Sequence, residues 1–264
     1  MTRGFEPSAE DMRAFFNVKY YRFGEPAWGP RLRLSFDYFS PDDYYEAIVA
    51  SLVTPGCAWV DIGCGRNIFP SYPELARQLA ERCDVVYGID PDANIQDNKL
   101  LTDRFQGLVE DCDTERRFDL VTLRMVAEHV VDPDRTVGKI AALTKPGGLV
   151  VVYTPNKWSP MSLVAAALPF RLHHPLKRLV WDGEARDTFP TAYKLNTHKA
   201  LQHHLGRNGF EEVLFRYLDD CRFSSAYRWV NRVELTFRSA LRAVGRPHVE
   251  NCLLGIYRKR TPPA

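Results

Sequence analysis

One short run of residues combines a carboxylate with two glycines directly after an apolar segment. The run reads WVDIGCGRN and extends from Trp59 to Asn67. Gly63 and Gly65 let the chain turn tightly and allow a ligand to approach the backbone, because glycine has no Cβ. A pyrophosphate-binding turn requires a third glycine, and Ile68 stands at that position. The carboxylate of Asp61 therefore favours a cationic ligand, such as an ammonium or a sulfonium.

A second carboxylate ends the next apolar segment along the chain. This segment reads DVVYGID and runs from Asp84 to Asp90. In a doubly wound sheet, an acid at the end of the second strand accepts hydrogen bonds from ribose hydroxyls. Two more apolar segments follow, Phe118 to Leu123 and Leu149 to Tyr153. The four segments predict buried strands whose carboxyl ends hold a nucleoside-containing cofactor.

Together these motifs resemble the class I S-adenosylmethionine (SAM)-dependent methyltransferases, close to the methyltransferase-11 group that includes quinone-biosynthesis C-methyltransferases. The resemblance covers Trp59 to Asn156, and four motifs in the right order make it specific although each alone is weak. It implies SAM as the cofactor. The methionine part of SAM would lie on a loop made by Asp61, Gly63, Cys64 and Gly65.

The resemblance also assigns the ribose of the cofactor and the surroundings of the adenine. Asp90 would hold the ribose diol, while Pro91 and Asp92 would lie against the adenine and its sugar. After the fourth strand of the family's fold, Met125 and Val126 would face the cofactor.

The contact to the adenine amino group is where this sequence departs from the family. The family places an acid in a segment that here reads GLVED, from Gly107 to Asp111. Leu108 stands at the position of the usual aspartate. Glu110 or Asp111 is the substitute that we expect.

His129 is the best-placed candidate for a general base. Methyl transfer is an in-line displacement in which the protein must align the acceptor and, for a hydroxyl or carbon acid, remove one proton. A neutral histidine suits that task, and His129 lies in the segment that lines the reaction centre of the family. The alternative is that Glu128 and His129 only hydrogen-bond within the structure. The remaining histidines lack regular ligand spacing with cysteines or acids, so no metal site is expected.

Strands and helices alternate along the central part of the chain. Helices are predicted over Tyr44 to Leu52, Tyr72 to Arg82, Pro91 to Leu101 and Asp132 to Leu143, and another after Asn196 or Thr197. This alternation requires a parallel sheet with right-handed crossovers. Later strands are predicted at Phe210 to Leu218 and at Glu250 to Arg258.

The expected fold is α/β: a Rossmann-like, seven-stranded, mostly parallel sheet with helices on both faces. The resemblance implies that the last strand inserts antiparallel between the fifth and the sixth. We expect a single methyltransferase domain of 264 residues. Its four parts would be an N-terminal helical lid (1–55), a SAM-binding core (56–156), a substrate cap (157–195) and a C-terminal completion of the sheet (196–264).

The lid and the cap are the candidate sources of acceptor contacts. Aromatic residues crowd the first 40 positions, which indicates packing rather than disorder. Tyr20, Tyr21 and Tyr38 could reach the acceptor, although core packing is the alternative for each. The cap would extend from Ser159 to Tyr193, and Tyr193 would orient the acceptor.

A basic amphipathic helix is predicted near the C-terminus. Its apolar positions recur at helical spacing at Ala226, Val230, Val233, Phe237, Leu241 and Val244, and arginines line another face. Such a helix can lie on an anionic membrane. It can equally pack on its own domain with a solvated arginine face, which is the interpretation we favour from the sequence.

Composition limits the partners and the compartment. A net charge of +2, from 35 basic and 33 acidic side chains, gives no field that would require a nucleic acid partner. Six cysteines without a CxxC pair and the lack of a secretory signal favour reduced thiols and a cytoplasmic location, with at most peripheral membrane contact. The longest apolar run, Met161 to Phe170, is too short to cross a bilayer.

The expected activity is methyl transfer to a small hydrophobic, glycosylated or lipid-linked metabolite, at oxygen. Methyl transfer to carbon or nitrogen remains an alternative. A non-enzymatic SAM-fold binding or scaffold protein is a second alternative, and Leu108 is the one residue that favours it. Ile68 disfavours a nicotinamide oxidoreductase. A nucleic-acid amino methyltransferase would carry an Asn/Asp-Pro-Pro-aromatic motif, and the nearest match is Thr154 to Asn156.

Overall fold

The computed structural model describes residues 4–22, 24–160, 162–163, 190–221 and 224–261. The described strands are β1 Ala58–Ile62, β2 Val85–Asp90, β3 Asp103–Gln106, β4 Phe118–Arg124, β5 Thr144–Pro155, β6 Phe210–Leu218 and β7 Cys252–Lys259. The described α-helices are α1 Ala9–Tyr21, α2 Trp28–Ser35, α3 Pro41–Leu52, α4 Pro73–Ala80, α5 Pro133–Leu143, α6 His198–Arg207 and α7 Arg228–Ala243. Three short 3₁₀ segments follow β2, β3 and β4, at Ala93–Asp97, Val109–Asp111 and Ala127–His129.

The seven strands form one sheet in the order β3-β2-β1-β4-β5-β7-β6. β7 runs antiparallel to both of its neighbours, and the other pairings are parallel. The prediction of a last strand inserted between the fifth and the sixth is confirmed. The order in which strands are added to the sheet switches sides between β1 and β4, so the carboxyl ends of these two parallel strands flank the crevice in which ligands of such sheets bind.

Alternation of side chains along the buried strands builds an apolar layer on each face of the sheet. Trp59 points into one layer together with residues of α3 and α4, while Val60 points into the other with residues of α5 and α6. Because both faces are covered, the central strands are apolar at nearly every position.

Side-chain caps set the beginnings of the helices. The Ser40 hydroxyl accepts a hydrogen bond from the backbone N–H of Asp43, and the Asp43 carboxylate accepts one from the backbone of Ser40, which completes a capping box before α3. Asp132 caps α5 and Thr197 caps α6 through their side-chain oxygens. The predictions of these three helices are confirmed.

The predicted helix from Pro91 to Leu101 is wrong, because only the 3₁₀ segment Ala93–Asp97 forms there. The Asp92 side chain caps that segment, and the chain leaves helical geometry at Asn98. The buried Asn98 amide then donates a hydrogen bond of 3.1 Å to the carbonyl oxygen of Gly65. The non-helical backbone at Asn98 thus coincides with a long-range bond, and tertiary structure here overrides the local apolar spacing.

Most of the predicted substrate cap, Ser159 to Tyr193, lies outside the described residues. Its described parts are residues 159–160, 162–163 and 190–193. Among the described residues, no helix combines the length and apolar character needed to cross a membrane.

The C-terminal helix α7 presents a different face to the domain than its pattern predicts. The buried residues of α7 are Asn231, Leu235 and Arg238, whereas Val233 and Phe237 are exposed. The interpretation that its apolar face packs on the domain is therefore wrong. Asn231 and Arg238 find polar partners inside the domain, and these partners fix the orientation of the helix.

Candidate cofactor and acceptor site

The turn after β1 has the backbone geometry that its glycines predict. Gly63 and Gly65 have φ of 75° and 45°, in the left-handed region that favours glycine. The backbone N–H of Gly63 donates a hydrogen bond of 2.7 Å to the carbonyl oxygen of Ile89. A Cβ on Gly63 would lie 2.2 Å from Cγ2 of Val126. Gly63 therefore makes room for Val126, which closes one side of the turn.

Asp90 joins the glycine turn to the end of β2. Its Oδ2 accepts a 2.8 Å hydrogen bond from the backbone N–H of Gly65, and its Oδ1 accepts one of 2.8 Å from the backbone N–H of Asp92. The side chain of Asn98 holds the carbonyl of the same Gly65. Asn98 was missed by sequence reasoning, because its contact spans 33 positions and leaves no local signal.

Asp61 is a buried carboxylate at the carboxyl end of β1, with 2% of the residue exposed. Its Oδ1 accepts a 2.5 Å hydrogen bond from the hydroxyl of Thr122 on the neighbouring strand, and Trp59 Nε1 donates a 2.7 Å bond to the same hydroxyl oxygen. Burial raises the pKa of Asp61 to about 7. A buried carboxylate of this kind gains from a cation placed beside it.

Met125 has a strained backbone where the chain leaves β4. Its φ is 55°, which a non-glycine residue seldom adopts, and its N–H donates a 2.8 Å hydrogen bond to the carbonyl of Tyr153. Strain of this kind is often stored at functional sites. Met125 and Val126 are both half-buried and follow the strand beside the glycine turn.

The residues predicted to surround the nucleoside of the cofactor lie in different environments. Pro91 is exposed, and Asp92 caps the following 3₁₀ segment. Glu110 accepts a hydrogen bond from Thr136, while the exposed Asp111 pairs with Arg135 at 3.4 Å. The adenine contact through Glu110 or Asp111 stays a prediction, as does packing of Pro91 and Asp92 on the adenine.

Cys64 contributes its backbone rather than its side chain to the turn. Its Sγ points toward β2, where a Cβ on Gly88 would lie 2.8 Å away. Burial raises the pKa of the Cys64 thiol well above its ordinary value. All six cysteines are free, and five of them are buried.

His129 lies in the 3₁₀ segment after β4, and its ring is held by the end of the predicted cap. Its Nδ1 lies 3.1 Å from the carbonyl oxygen of Pro190, which can only accept, so Nδ1 carries the hydrogen of this bond. Nε2 is 3.8 Å from a carboxylate oxygen of Glu128, too far for a hydrogen bond. Glu128 itself accepts a 2.8 Å bond from Thr154, and burial raises its pKa.

The N-terminal helices are tied to the domain by buried charges. Lys19 of α1 contacts carboxylate oxygens of Asp43 at 2.8 Å and Glu46 at 2.6 Å, both on α3. Arg33 of α2 pairs with the same Asp43 at 3.2 Å. Burial alone would lower the pKa of Lys19, but the two carboxylates raise it above its ordinary value. The lysine is therefore charged, and the cluster is a set of mutually compensated ions.

A cleft of about 410 Å³ opens between the N-terminal helices and the beginning of α7. We call it the N-terminal cleft; its lining includes Tyr20, Trp28, Arg33, Asp42 and Asn231. Asp42 pairs with Arg124 at the end of β4, at 3.3 Å. This ion pair links the wall of the cleft to β4, the strand beside β1, and the volume of the cleft suits a small molecule.

The four tyrosines predicted to touch an acceptor occupy different environments. Tyr20 lines the cleft and donates a 3.0 Å hydrogen bond to Asp43, whereas Tyr21 packs in the small apolar cluster around Phe16. Tyr193 is half-buried next to Glu128, whose carbonyl accepts a 3.0 Å bond from its N–H.

The prediction that Tyr38 reaches the acceptor is wrong. Tyr38 is completely buried, and its hydroxyl accepts a 2.8 Å hydrogen bond from the backbone N–H of Cys221. Its ring lies under Arg238, with the guanidinium carbon 4.7 Å from the ring centre. Tyr38 therefore anchors α7 to the domain and is not available to an acceptor.

One group of possible metal ligands comes together among the described residues. Ligand atoms of Asp219, Cys221 and His248 lie within 4.8 Å of one another. The Asp219 carboxylate already pairs with Arg238, and burial raises the pKa of the Cys221 thiol well above its ordinary value. Because Arg238 already neutralises the carboxylate of Asp219, we assign no metal to this group.

Comparison with known proteins identifies relatives of the whole central region. A family model described as a methyltransferase domain matches residues 25–214. A ubiquinone biosynthesis O-methyltransferase from Rhodopseudomonas palustris (strain BisB18) is 37% identical over 168 residues, which cover 55% of this chain and 63% of that relative. The match therefore spans less than two thirds of the relative's own length.

Solved structures show the same fold at low sequence identity. A chain in the complex between the Haloferax volcanii Trm112 methyltransferase activator and a methyltransferase superposes with a TM-score of 0.55 at 15% identity, covering 90% of this chain and 96% of that one. The [4+2]-cyclase SpnF gives a TM-score of 0.50 at 16% identity, covering 83% and 84%. Since the fold also hosts a cyclase, the reaction must be argued from the site.

Proposed function

We propose that this chain, which belongs to the class I S-adenosylmethionine-dependent methyltransferases, methylates an oxygen of a small hydrophobic, glycosylated or lipid-linked metabolite. The observation that carries the proposal is the ion pair between Arg124, at the end of β4, and Asp42, which lines the N-terminal cleft. O-methyl transfer is supported by the curated relative, whose name gives that reaction in ubiquinone biosynthesis.

The residues at the strand ends fit the cofactor. SAM carries an ammonium and a sulfonium, and the buried carboxylate of Asp61 offers a counter-charge to a cation. Gly63 and Gly65 leave the backbone open to close approach, and Asp90 ends β2, where a ribose diol binds in doubly wound sheets. Asp61, Gly63, Cys64, Gly65 and Asp90 would therefore hold it.

SAM supplies an electrophilic methyl group, which an acceptor oxygen takes in a single in-line displacement. The chain must then align the acceptor and remove the hydroxyl proton. In our proposal His129 takes this proton at Nε2, because the Pro190 carbonyl keeps the hydrogen on Nδ1. The buried Glu128, 3.8 Å from Nε2, would stabilise the resulting imidazolium.

The N-terminal cleft is the proposed acceptor pocket. Trp28 and the ring of Tyr20 offer apolar surface, while Arg33 and Asp42 are polar groups that can orient a hydroxylated molecule. Tyr21 and Tyr193 remain candidates for contacts with the acceptor. Transfer to carbon or nitrogen would use the same alignment with a different proton donor.

The test is turnover of SAM labelled in its methyl group on a metabolite extract, followed by separation of small molecules, lipids, RNA and protein. We expect label in the small-molecule or lipid fraction, as a methyl ether by mass spectrometry. Asp90→Ala is the cofactor-deficient control. Label only in RNA or protein would overturn the acceptor class, and the absence of SAM binding in isothermal titration would favour the scaffold alternative.

His129 is tested separately from the activity itself. His129→Ala and His129→Gln should lower kcat by roughly 10²-fold or more, with little change in the affinity for SAM. An unchanged kcat would leave the methyltransferase assignment in place and give His129 and Glu128 a structural role only.

A further inference from the structure

The exposed side of α7 carries large apolar residues at helical spacing. Trp229, Val233 and Phe237 are 73%, 63% and 57% exposed and follow one another at intervals of four residues, so they lie on one face. Val244 extends this apolar stripe at the C-terminal end of the helix and is also exposed. We call this the α7 stripe. Exposed apolar patches of this kind mark interaction sites in soluble domains.

The orientation of α7 is fixed by polar anchors on its inner side. The Asn231 amide donates hydrogen bonds of 2.8 Å to the carbonyl of Cys221 and 2.9 Å to the hydroxyl of Ser224. Arg238 pairs with Asp219 and covers the ring of Tyr38. Turning the helix to bury the α7 stripe would break these contacts and expose Leu235, so the stripe is a stable surface of the domain.

The charged side chains of α7 are almost all positive. Arg232 is exposed beside the α7 stripe, whereas the exposed Arg228 and Arg242 lie nearer the inner side at the two ends of the helix, and the exposed Arg246 follows the helix. Glu234 is the single carboxylate of the helix, and it accepts a hydrogen bond from Ser224 on the inner side. An apolar stripe on a helix whose exposed charges are arginines is the pattern of a helix that lies in the plane of an anionic membrane.

Other occupants fit this surface less well. A second copy of the helix would bring arginines against arginines with no exposed carboxylate to pair them. The apolar run 164–181, which lies outside the described residues, carries Arg171, Lys177 and Arg178 and no Asp or Glu, so it would also add like charge. Anionic lipid headgroups with an apolar layer beneath them complement both features of the surface.

We propose that the α7 stripe docks the protein on anionic lipid bilayers, with Trp229, Val233 and Phe237 inserted at the headgroup boundary and the arginines on lipid phosphates. Asn231 of α7 lines the N-terminal cleft, so docking brings the cleft close to the membrane surface. The proposal does not depend on which acceptor is methylated.

The experiment is co-sedimentation with vesicles of phosphatidylcholine alone and of phosphatidylcholine mixed with phosphatidylglycerol. We expect binding to the anionic vesicles only, with weakening in high salt. Replacing the three apolar residues by serine (Trp229→Ser, Val233→Ser, Phe237→Ser), or changing Arg228 and Arg232 to Gln, should weaken binding about tenfold or more. Val18→Ser with Val131→Ser, at exposed apolar residues elsewhere, is the matched control and should bind like wild type.

Circular dichroism and thermal melting check that the surface variants stay folded. Equal binding to neutral and anionic vesicles, absent binding, or binding that the α7 variants do not alter would each overturn the proposal. A concentration-dependent dimer in analytical ultracentrifugation that Trp229→Ser, Val233→Ser and Phe237→Ser abolish would also overturn it, in favour of contact between two copies.

Discussion

The backbone N–H of Gly65 donates a 2.8 Å hydrogen bond to Oδ2 of Asp90, so two motifs that are 25 residues apart form one structural unit. The carboxylate that is assigned to the ribose also holds the turn assigned to the methionine part of SAM. Asn98 supports the same Gly65 from its carbonyl side. Loop position and cofactor affinity are therefore coupled through Asp90.

Substitutions at Asp90 can separate these two roles. Asp90→Ala should weaken SAM binding at least about tenfold, because it removes charge-assisted hydrogen bonds. Asp90→Asn keeps an acceptor for Gly65 but loses the charge, so its affinity should fall between those of wild type and Asp90→Ala. Isothermal titration measures both, with Asp97→Ala at an exposed acid as the control. Wild-type affinity in Asp90→Ala would remove the ribose assignment.

Gly63 is constrained by Val126 as well as by its own backbone. Gly63→Ala should destabilise the fold by about 1–2 kcal/mol through its left-handed φ, with about 1–3 kcal/mol more from overpacking against Val126. Adding Val126→Ala removes the methyl group that clashes. In a double-mutant cycle, the stability lost through overpacking should then be recovered. Gly206→Ala is the control, since nothing lies near its Cβ position and it lies in α6. Strict additivity of the two substitutions would contradict the contact.

Sequence patterns were sufficient for the parts of the fold that are governed by local rules. Apolar runs that end in Asp61 and Asp90 predicted the strand ends of the cofactor site, and proline with acids at Asp132 to Asp134 predicted the beginning of α5. β3 gave no apolar signal because it is an edge strand with exposed or half-exposed side chains, and only the family resemblance implied a strand there.

Parts of the site that depend on distant partners could not be predicted. From the sequence, Asn98 is expected to be a polar helix residue, but in the structure its side chain bonds to Gly65. Arg238 is expected to be a solvated arginine, but it contacts Asp219 and Tyr38 inside the domain. Helical periodicity identified α7 as amphipathic, but burial of its polar anchors determined which face points outward. The same contacts gave Tyr38 a structural role.

The buried ions that attach α1 to α3 should matter strongly for stability. Lys19→Met would leave Glu46 buried without its cation and Asp43 paired with Arg33 alone, and it should cost about 3–5 kcal/mol in the free energy of unfolding. Chemical denaturation measures this change. The control is Arg13→Met, which removes the exposed pair with Asp37 and should have no measurable effect. Similar losses in both variants would contradict the role of the buried cluster.

Asp61 should make the free energy of unfolding depend on pH. Burial raises its pKa in the folded protein to about 7, against an ordinary value of 3.8, so the folded state binds the extra proton between these values. The stabilisation is complete below the ordinary pKa and is lost as pH rises through about 7. Asp61→Asn keeps the acceptor for Thr122 and has no charge to bury. Relative to wild type, it should gain about 4 kcal/mol of stability between pH 4 and pH 8.

The same titration predicts how cofactor affinity depends on pH. Only the ionised carboxylate attracts the cationic groups of SAM, so the affinity of the wild type should rise between about pH 5 and pH 7 and then level off, with a proton released on binding in that range. Titrations in buffers of different ionisation enthalpy measure the released proton. Asp61→Asn should bind SAM more weakly at pH 8 and show no such rise, even though the variant is more stable there. A pH-independent wild-type affinity, or full affinity in Asp61→Asn, would mean that Asp61 does not face the cation.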